Sequence, residues 1–162
     1  MSSTTTDYTR RQVTGRGIPV PGNDIDTDRI IPARFLKEVT FESMGEHAPQ
    51  ALMRWGIRAI VGGSYGEIFF GNCVMLGIPC MVVSQDDLEW LQKAIARNPH
   101  ETVTVHVEKQ EVRFGDRVIE AAMPDGPRNQ LVGGTWDSTA VLLEAGGAIE
   151  ATAKKLPYVT GF

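Results

Sequence analysis

Apolar residues along this chain fall in short runs punctuated by Gly and Pro, and their spacing changes character several times. Residues 1 to 14 hold Ser, Thr and Arg with few apolar anchors, the composition of a mobile arm. From Gly15 to Pro32 the string GRGIPVPGNDIDTDRIIP sets Gly, Pro and acidic residues around apolar pairs, which reads as loop. His47 to Gly56 predicts a short helix, with Pro49 in its first turn and Gly56 as its stop. Ile57 to Val61 reads as a buried strand. Ser64 to Leu76 then places Ile68, Phe69, Cys73 and Leu76 at helical spacing, ended by Gly77, and Pro79 to Val83 reads as a second buried strand. Helix, strand, helix, strand in that order implies a parallel α/β unit.

Beyond it the period shortens. Ser84 followed three residues later by Asp87 opens a helix through Ala96, stopped by Asn98 and Pro99. TVTVHV alternates with period two, and QEVRF, a turn at Gly115 and Asp116, and RVIEAAM complete a small antiparallel patch. The tail predicts a short helix from Ser138 to Ala145, stopped by Gly146 and Gly147, and a last amphipathic stretch to Leu156. There is no internal repeat. The organisation expected is an arm over residues 1–14 and one domain over 15–162.

Composition narrows the function classes. At 162 residues, 42% apolar and 22% charged, the chain builds one core and no second large domain. A net charge of −4 and a pI near 5.4 leave no Lys/Arg stripe to neutralise phosphates, which argues against nucleic acid. A small neutral or anionic ligand remains open. The opening MSSTTTDYTRRQ has polar residues where a secretory leader needs an apolar run, and no stretch approaches the roughly 20 apolar residues of a membrane span. The expected place is the cytoplasm. Cys73 and Cys80 are too few for a disulfide framework and sit among apolar neighbours, so they read as buried thiols.

Each candidate chemistry in the sequence has a plainer counterpart. Asp24, Asp26 and Asp28 suggest a calcium loop, but position 6 holds Arg29 instead of Gly and position 12 holds Phe35 instead of Glu. The alternative is a turn whose Asp side chains bond nearby backbone N–H groups. Gly62-Gly63-Ser64-Tyr65-Gly66 matches the G-x-S-x-G nucleophile elbow between a strand and a helix, with acid and base drawn from Asp86 or Asp87 and His100 or His106. Only one strand precedes it, where that fold needs several, and the competing reading is a turn whose Ser caps the next helix. His47, His100 and His106 are dispersed, no HExxH occurs, and two cysteines cannot ligate an iron–sulfur cluster. Gly15 and Gly17 lack the third Gly of a dinucleotide fingerprint.

Two separated strings carry a resemblance. PGNDIDTDRIIPARFLKEVTF (21–41) and EHAPQALMRWGIRAIVGGSYGEIFFGNCVMLGIPCMVV (46–83) closely resemble the aconitase swivel-domain family, in its 3-isopropylmalate dehydratase small-subunit branch. RNQLVGGTWDSTAVLLEAG is similar to that branch's closing segment, so the resemblance covers roughly residues 16 to 158. It implies an α/β fold, the swivelling β/β/α domain, in one of two chains of a heterodimer. The large subunit carries a 4Fe-4S cluster, and this chain holds no cofactor of its own. The implied reaction interconverts 2- and 3-isopropylmalate by dehydration and rehydration, in leucine biosynthesis.

Carried over by residue, Asp28 matches the active-site aspartate of the branch's D-T-D/T-D-H motif, with Asp26 and Thr27 beside it. Arg34 to Thr40 match the loop that contacts the substrate's variable side chain, where Lys37 is the candidate for a carboxylate contact and Arg34 a further candidate substrate contact. Glu46 and His47 match the Glu-His of a G-S-S-R-E-H-A motif. The resemblance also implies a loss. Where the family has a strand and a loop N-F-G-C-G-S-S-R, whose serine is the base and whose arginine holds a substrate carboxylate, this chain reads FESMG. Ser43, Met44 and Gly45 stand nearest, and a block of tens of residues is missing between Met44 and His47.

Overall fold

A computed structural model of the chain describes residues 8–23, 25, 41–137, 141–142 and 145–156, and for 41–47 the backbone course alone. Among them, β1 (Gln12–Arg16), β4 (Thr102–His106), β5 (Glu111–Phe114) and β6 (Arg117–Glu120) form a four-stranded sheet in the order β1-β4-β5-β6. All its pairs are antiparallel, with Gln12 opposite His106, Val105 opposite Val112 and Val112 opposite Ile119. The period-two pattern places Val105, Val112, Phe114 and Ile119 on the buried side. β1 was not foreseen: Gln12, Val13 and Thr14 lie in the segment whose composition suggests an arm, yet they pair with β4. The polar, exposed side chains of Gln12 and Thr14, with Val13 half-buried, suit an edge strand held through its backbone.

The second sheet is parallel, as the helix–strand alternation predicts. β2 (Ile60–Gly62) pairs with β3 (Cys80–Val82), Ile60 opposite Cys80. α1 (Phe41–Arg54) leads into β2, α2 (Glu67–Met75) joins the strands, and α1 packs on α2. The bridge between Val82 and Ala122 ties this sheet to the antiparallel one. α3 (Gln85–Arg97) lays Leu91 and Ile95 on the core, and α4 (Asp125–Gly133) adds Leu131. The main core joins them to Met81, Val83, Val105, Val112, Phe114 and Ile119, and a smaller one holds Cys73, Ile78 and Cys80.

Several expected boundaries move. The helix expected from His47 begins at Phe41, so Pro49 stands inside it and not in its first turn, where it donates no hydrogen bond to the preceding turn. The helix expected from Ser64 begins at Glu67. Gly146 and Gly147, expected as stops, open a helix of their own, α5 (Gly146–Ala153). α4 carried Gly and Pro near its start and was not foreseen.

Gly77 closes α2 with φ +69°, and a Cβ there would meet Trp136 Cζ2 at 2.6 Å. Trp136 is fixed in turn, since its indole N–H donates to the Tyr8 carbonyl and Arg10 lies over its ring at 5.0 Å. Gly77→Ala therefore combines left-handed strain with a clash against a held ring. It should lower stability by about 2 to 4 kcal/mol, read as a shifted urea midpoint at unchanged slope.

The start of α3 follows the sequence closely. Ser84 Oγ accepts the Asp87 N–H at 3.2 Å and donates to Asp87 Oδ2 at 2.7 Å, while Arg117 donates to Asp87 Oδ1 at 2.7 Å. The Ser84 bond first and Arg117 second hold the Asp87 carboxyl below its ordinary value of 3.8. A lowered pKa in the folded state gives stability that is present at neutral pH and lost as pH falls through the folded value. Ser84→Ala should cost about 1 kcal/mol. The stability gap between the chain and Asp87→Asn should close on acidification below the ordinary carboxylate range, measured as melting temperature against pH.

Candidate functional site

In parallel α/β units the carboxyl ends of the strands, with the loops that follow, gather the chemistry. Here those loops are Gly63–Gly66 after β2 and Val83–Ser84 after β3. The first lies against the start of α3: a Cβ on Gly63 would lie 3.5 Å from Gln85 Oε1 and 3.9 Å from Leu88 Cδ2. Tyr65 pins the first loop, donating from its hydroxyl to the Met81 carbonyl at 2.9 Å and stacking on Phe69 with ring centroids 6.4 Å apart. A side chain on Gly62 would strike it, with Tyr65 Oη 3.0 Å from the ideal Cβ. Burial, then Cys80 and Cys73, push the Tyr65 phenol well above its usual range, so it stays protonated and acts as a brace. Sequence reading missed that role, since one aromatic between two glycines gives no periodic signal.

Ser64 stands exposed between them and makes no hydrogen bond to any described residue. It does not cap α2, whose N-cap is Gly66 without a side-chain bond. The hydrolase arrangement does not assemble among the described residues either. His100 follows the far end of α3, and 13 helical residues put about 20 Å between that end and the Ser84 end. Asp87 is bonded to Ser84 and Arg117, and His106 sits in β4 opposite Gln12 and Glu111. Cys73 and Cys80 are free and fully buried, as the sequence suggests; the Cys80 thiol donates to the Ile78 carbonyl at 3.9 Å, and the neighbouring Cys73 thiol together with burial pushes it far above its ordinary value. Such a thiol is neither nucleophile nor ready metal ligand. No group of three or more His, Cys, Asp or Glu able to hold a metal occurs among the described residues.

Asp28, Thr27, Arg34, Lys37 and Asp26 fall outside the described residues, and of His47 and Glu46 the helix membership alone is described. Their approaches are nevertheless on view. Gly17 abuts Ile95, late in α3, and Gln92, a turn earlier, donates to the Val20 carbonyl at 3.2 Å. The chain therefore climbs α3 toward its Ser84 end as it nears Asp24. Five residues separate α1 from β2 and α1 packs on α2, so its start is directed to the same end as the loops, with Glu46 and His47 near the middle of the helix.

One edge of this end has no neighbour among the described residues. Ile60 N–H donates to Pro79 and Gly62 C=O accepts from Val83, at 2.9 and 3.0 Å, so Val61 turns its backbone groups to the other side. Among the described residues nothing pairs there. A right-handed crossover through α1, with α1 and α2 on one face, requires any strand preceding α1 to lie on that edge of β2.

Comparison with known proteins bears directly on this arrangement. The aconitase C-terminal domain family matches residues 42–85, which is α1 through the cap of α3. The chain is 36% identical over 189 residues to the 3-isopropylmalate dehydratase small subunit of Synechocystis sp., covering 92% of this chain and 94% of that one. It is 37% identical to the protein of the same name from Thermus thermophilus, covering 90% and 94%. A solved 3-isopropylmalate dehydratase from Methanocaldococcus jannaschii shares the fold at 19% identity, with TM-score 0.59, over 84% of this chain and 99% of that chain. The 189 positions of the Synechocystis alignment meet 92% of 162 residues, about 149, so about 40 positions stand opposite no residue here.

Proposed function

Because the chain belongs to the 3-isopropylmalate dehydratase small-subunit family, we propose that it is the swivelling subunit of a two-chain hydro-lyase. Its reaction interconverts 2-isopropylmalate and 3-isopropylmalate by dehydration and rehydration, a step of leucine biosynthesis. The observation that carries this is identity of 36–37% to small subunits of that name over at least 90% of the chain. The partner is a large subunit, and the substrate a small hydroxy-dicarboxylic acid. No described helix is long and apolar enough to cross a membrane, and we place the enzyme in the cytoplasm.

The described residues do not suit a 4Fe-4S cluster: there are only two thiols, both buried, that of Cys80 is pushed far above its ordinary value, and no group of three or more His, Cys, Asp or Glu able to hold a metal occurs among them. The cluster belongs to the large subunit in this family, and no step is assigned to it here. What this chain contributes is positioning and proton handling. Asp28 holds or moves a proton at the reacting carbons, with Thr27 beside it. Arg34 and Lys37 hold a substrate carboxylate, Arg as a two-pronged donor and Lys as a point charge. His47 joins them from α1. Ile18, Val20 and Ile25 lie exposed along the approach to Asp28, an apolar surface that a partner chain would cover.

Association is the test. Native mass spectrometry of the chain mixed with a large subunit from the same organism should give a one-to-one complex. Separate species at ten-micromolar concentrations would count against the reading.

A further inference from the structure

A groove of about 460 Å³ runs along α3 on the side of the β5–β6 turn, toward the Arg97 end and away from the carboxyl ends of β2 and β3. Its floor is apolar: Trp90 and Phe114 meet edge to face with centroids 6.3 Å apart, and Ala94 continues them. Its rim is cationic, carrying Lys93, Arg97 and Arg117 against the single acid Asp116. Arg117 is set in place before any ligand arrives, 2.7 Å from Asp87 and 4.0 Å above the Trp90 ring. Lys93 reaches Glu89 only at 3.6 Å between exposed side chains, a weak hold, and Arg97 has no carboxylate partner among the described residues. Against a chain of net charge −4, this concentration of positive charge over aromatic carbon is local.

We propose that the groove binds a small organic acid, its carboxylate on Arg97 and Lys93 and its apolar body on Trp90 and Phe114. The volume lies within the range of small-molecule sites, and cations over an apolar floor match an amphipathic anion better than an inorganic one. Its residues lie toward the Arg97 end of α3, and binding there does not depend on the proposed reaction.

The probe is 4-phenylbutyrate, titrated into the full chain while the indole N–H signals are followed by NMR. The three Trp give separate signals, and Trp90→Phe assigns the one in the groove. The Trp90 signal should move saturably with a Kd of about 1 mM, as for a ligand of this size. The alcohol 4-phenylbutanol should bind at least about fivefold more weakly, and so should the acid to the doubly substituted Lys93→Gln, Arg97→Gln chain. Both side chains are exposed, so an unchanged urea midpoint verifies that this variant is folded. Absence of saturation, equal binding of the alcohol, or an unaffected double variant overturns the proposal. So does inorganic phosphate moving the same signal at the same concentration, which would mean an adventitious anion only.

Discussion

Mixed with a cluster-loaded large subunit, this chain should bind and yet dehydrate isopropylmalate at no more than about one hundredth of the rate of a family member that has the G-S-S-R loop. Taking a proton from the carbon beside a carboxylate requires a placed base and a charged clamp on that carboxylate. The resemblance draws both from a loop before Glu46, and about 40 aligned positions of the Synechocystis relative have no counterpart here. In this chain Ser43, Met44, Gly45, Glu46 and His47 follow one another within the single helix α1. β2 has only β3 beside it among the described residues, and the crossover rule puts a strand preceding α1 on its other edge. Inserting a family-like strand and N-F-G-C-G-S-S-R loop between Gly45 and Glu46 should therefore restore turnover, measured as absorbance of the unsaturated intermediate. Normal turnover by the unmodified chain would make another residue the base, with Ser43 first to examine.

The second large effect belongs to Asp28. In the loop-restored chain, Asp28→Asn keeps the shape of the side chain and removes its charge. It should lower kcat by about 10² or more while stability stays within about 1 kcal/mol. A stable, fully active variant would leave Asp28 as one of the turn-bonding carboxylates that its Asp- and Gly-rich surroundings also suit.

The parts of the fold legible in the sequence are those governed by neighbours along the chain. Ser84 and Asp87 announced α3 because a cap is a contact across three residues, and Val103, Val105 and Val112 announced their strands because period two needs one buried face. β1 and the true start of α1 were not legible. β1 is held by backbone bonds to β4, some 90 residues away, which its polar side chains do not record. α1 runs through Gly45 and Pro49, residues of poor helix propensity, and is held by packing on α2.

For the site, the G-G-S-Y-G string located a turn at the carboxyl end of β2, but its chemistry was not what the motif suggests. Among the described residues Ser64 has no base beside it, and Tyr65 does the bracing. Asp28, Arg34 and Lys37 carry no signal of their own in periodicity or spacing. They were reached through family resemblance, and membership of that family is what the comparisons support.

Titrating the unmodified chain into a fixed amount of cognate large subunit and loop-restored chain, with the dehydration rate as readout, tests docking without catalysis directly. If the two forms dock equally, the rate should fall to about half at equal concentrations and toward zero in excess. A rate that does not fall would mean that the unmodified chain does not take the subunit's place, and a rate that rises would mean that it carries a working base of its own.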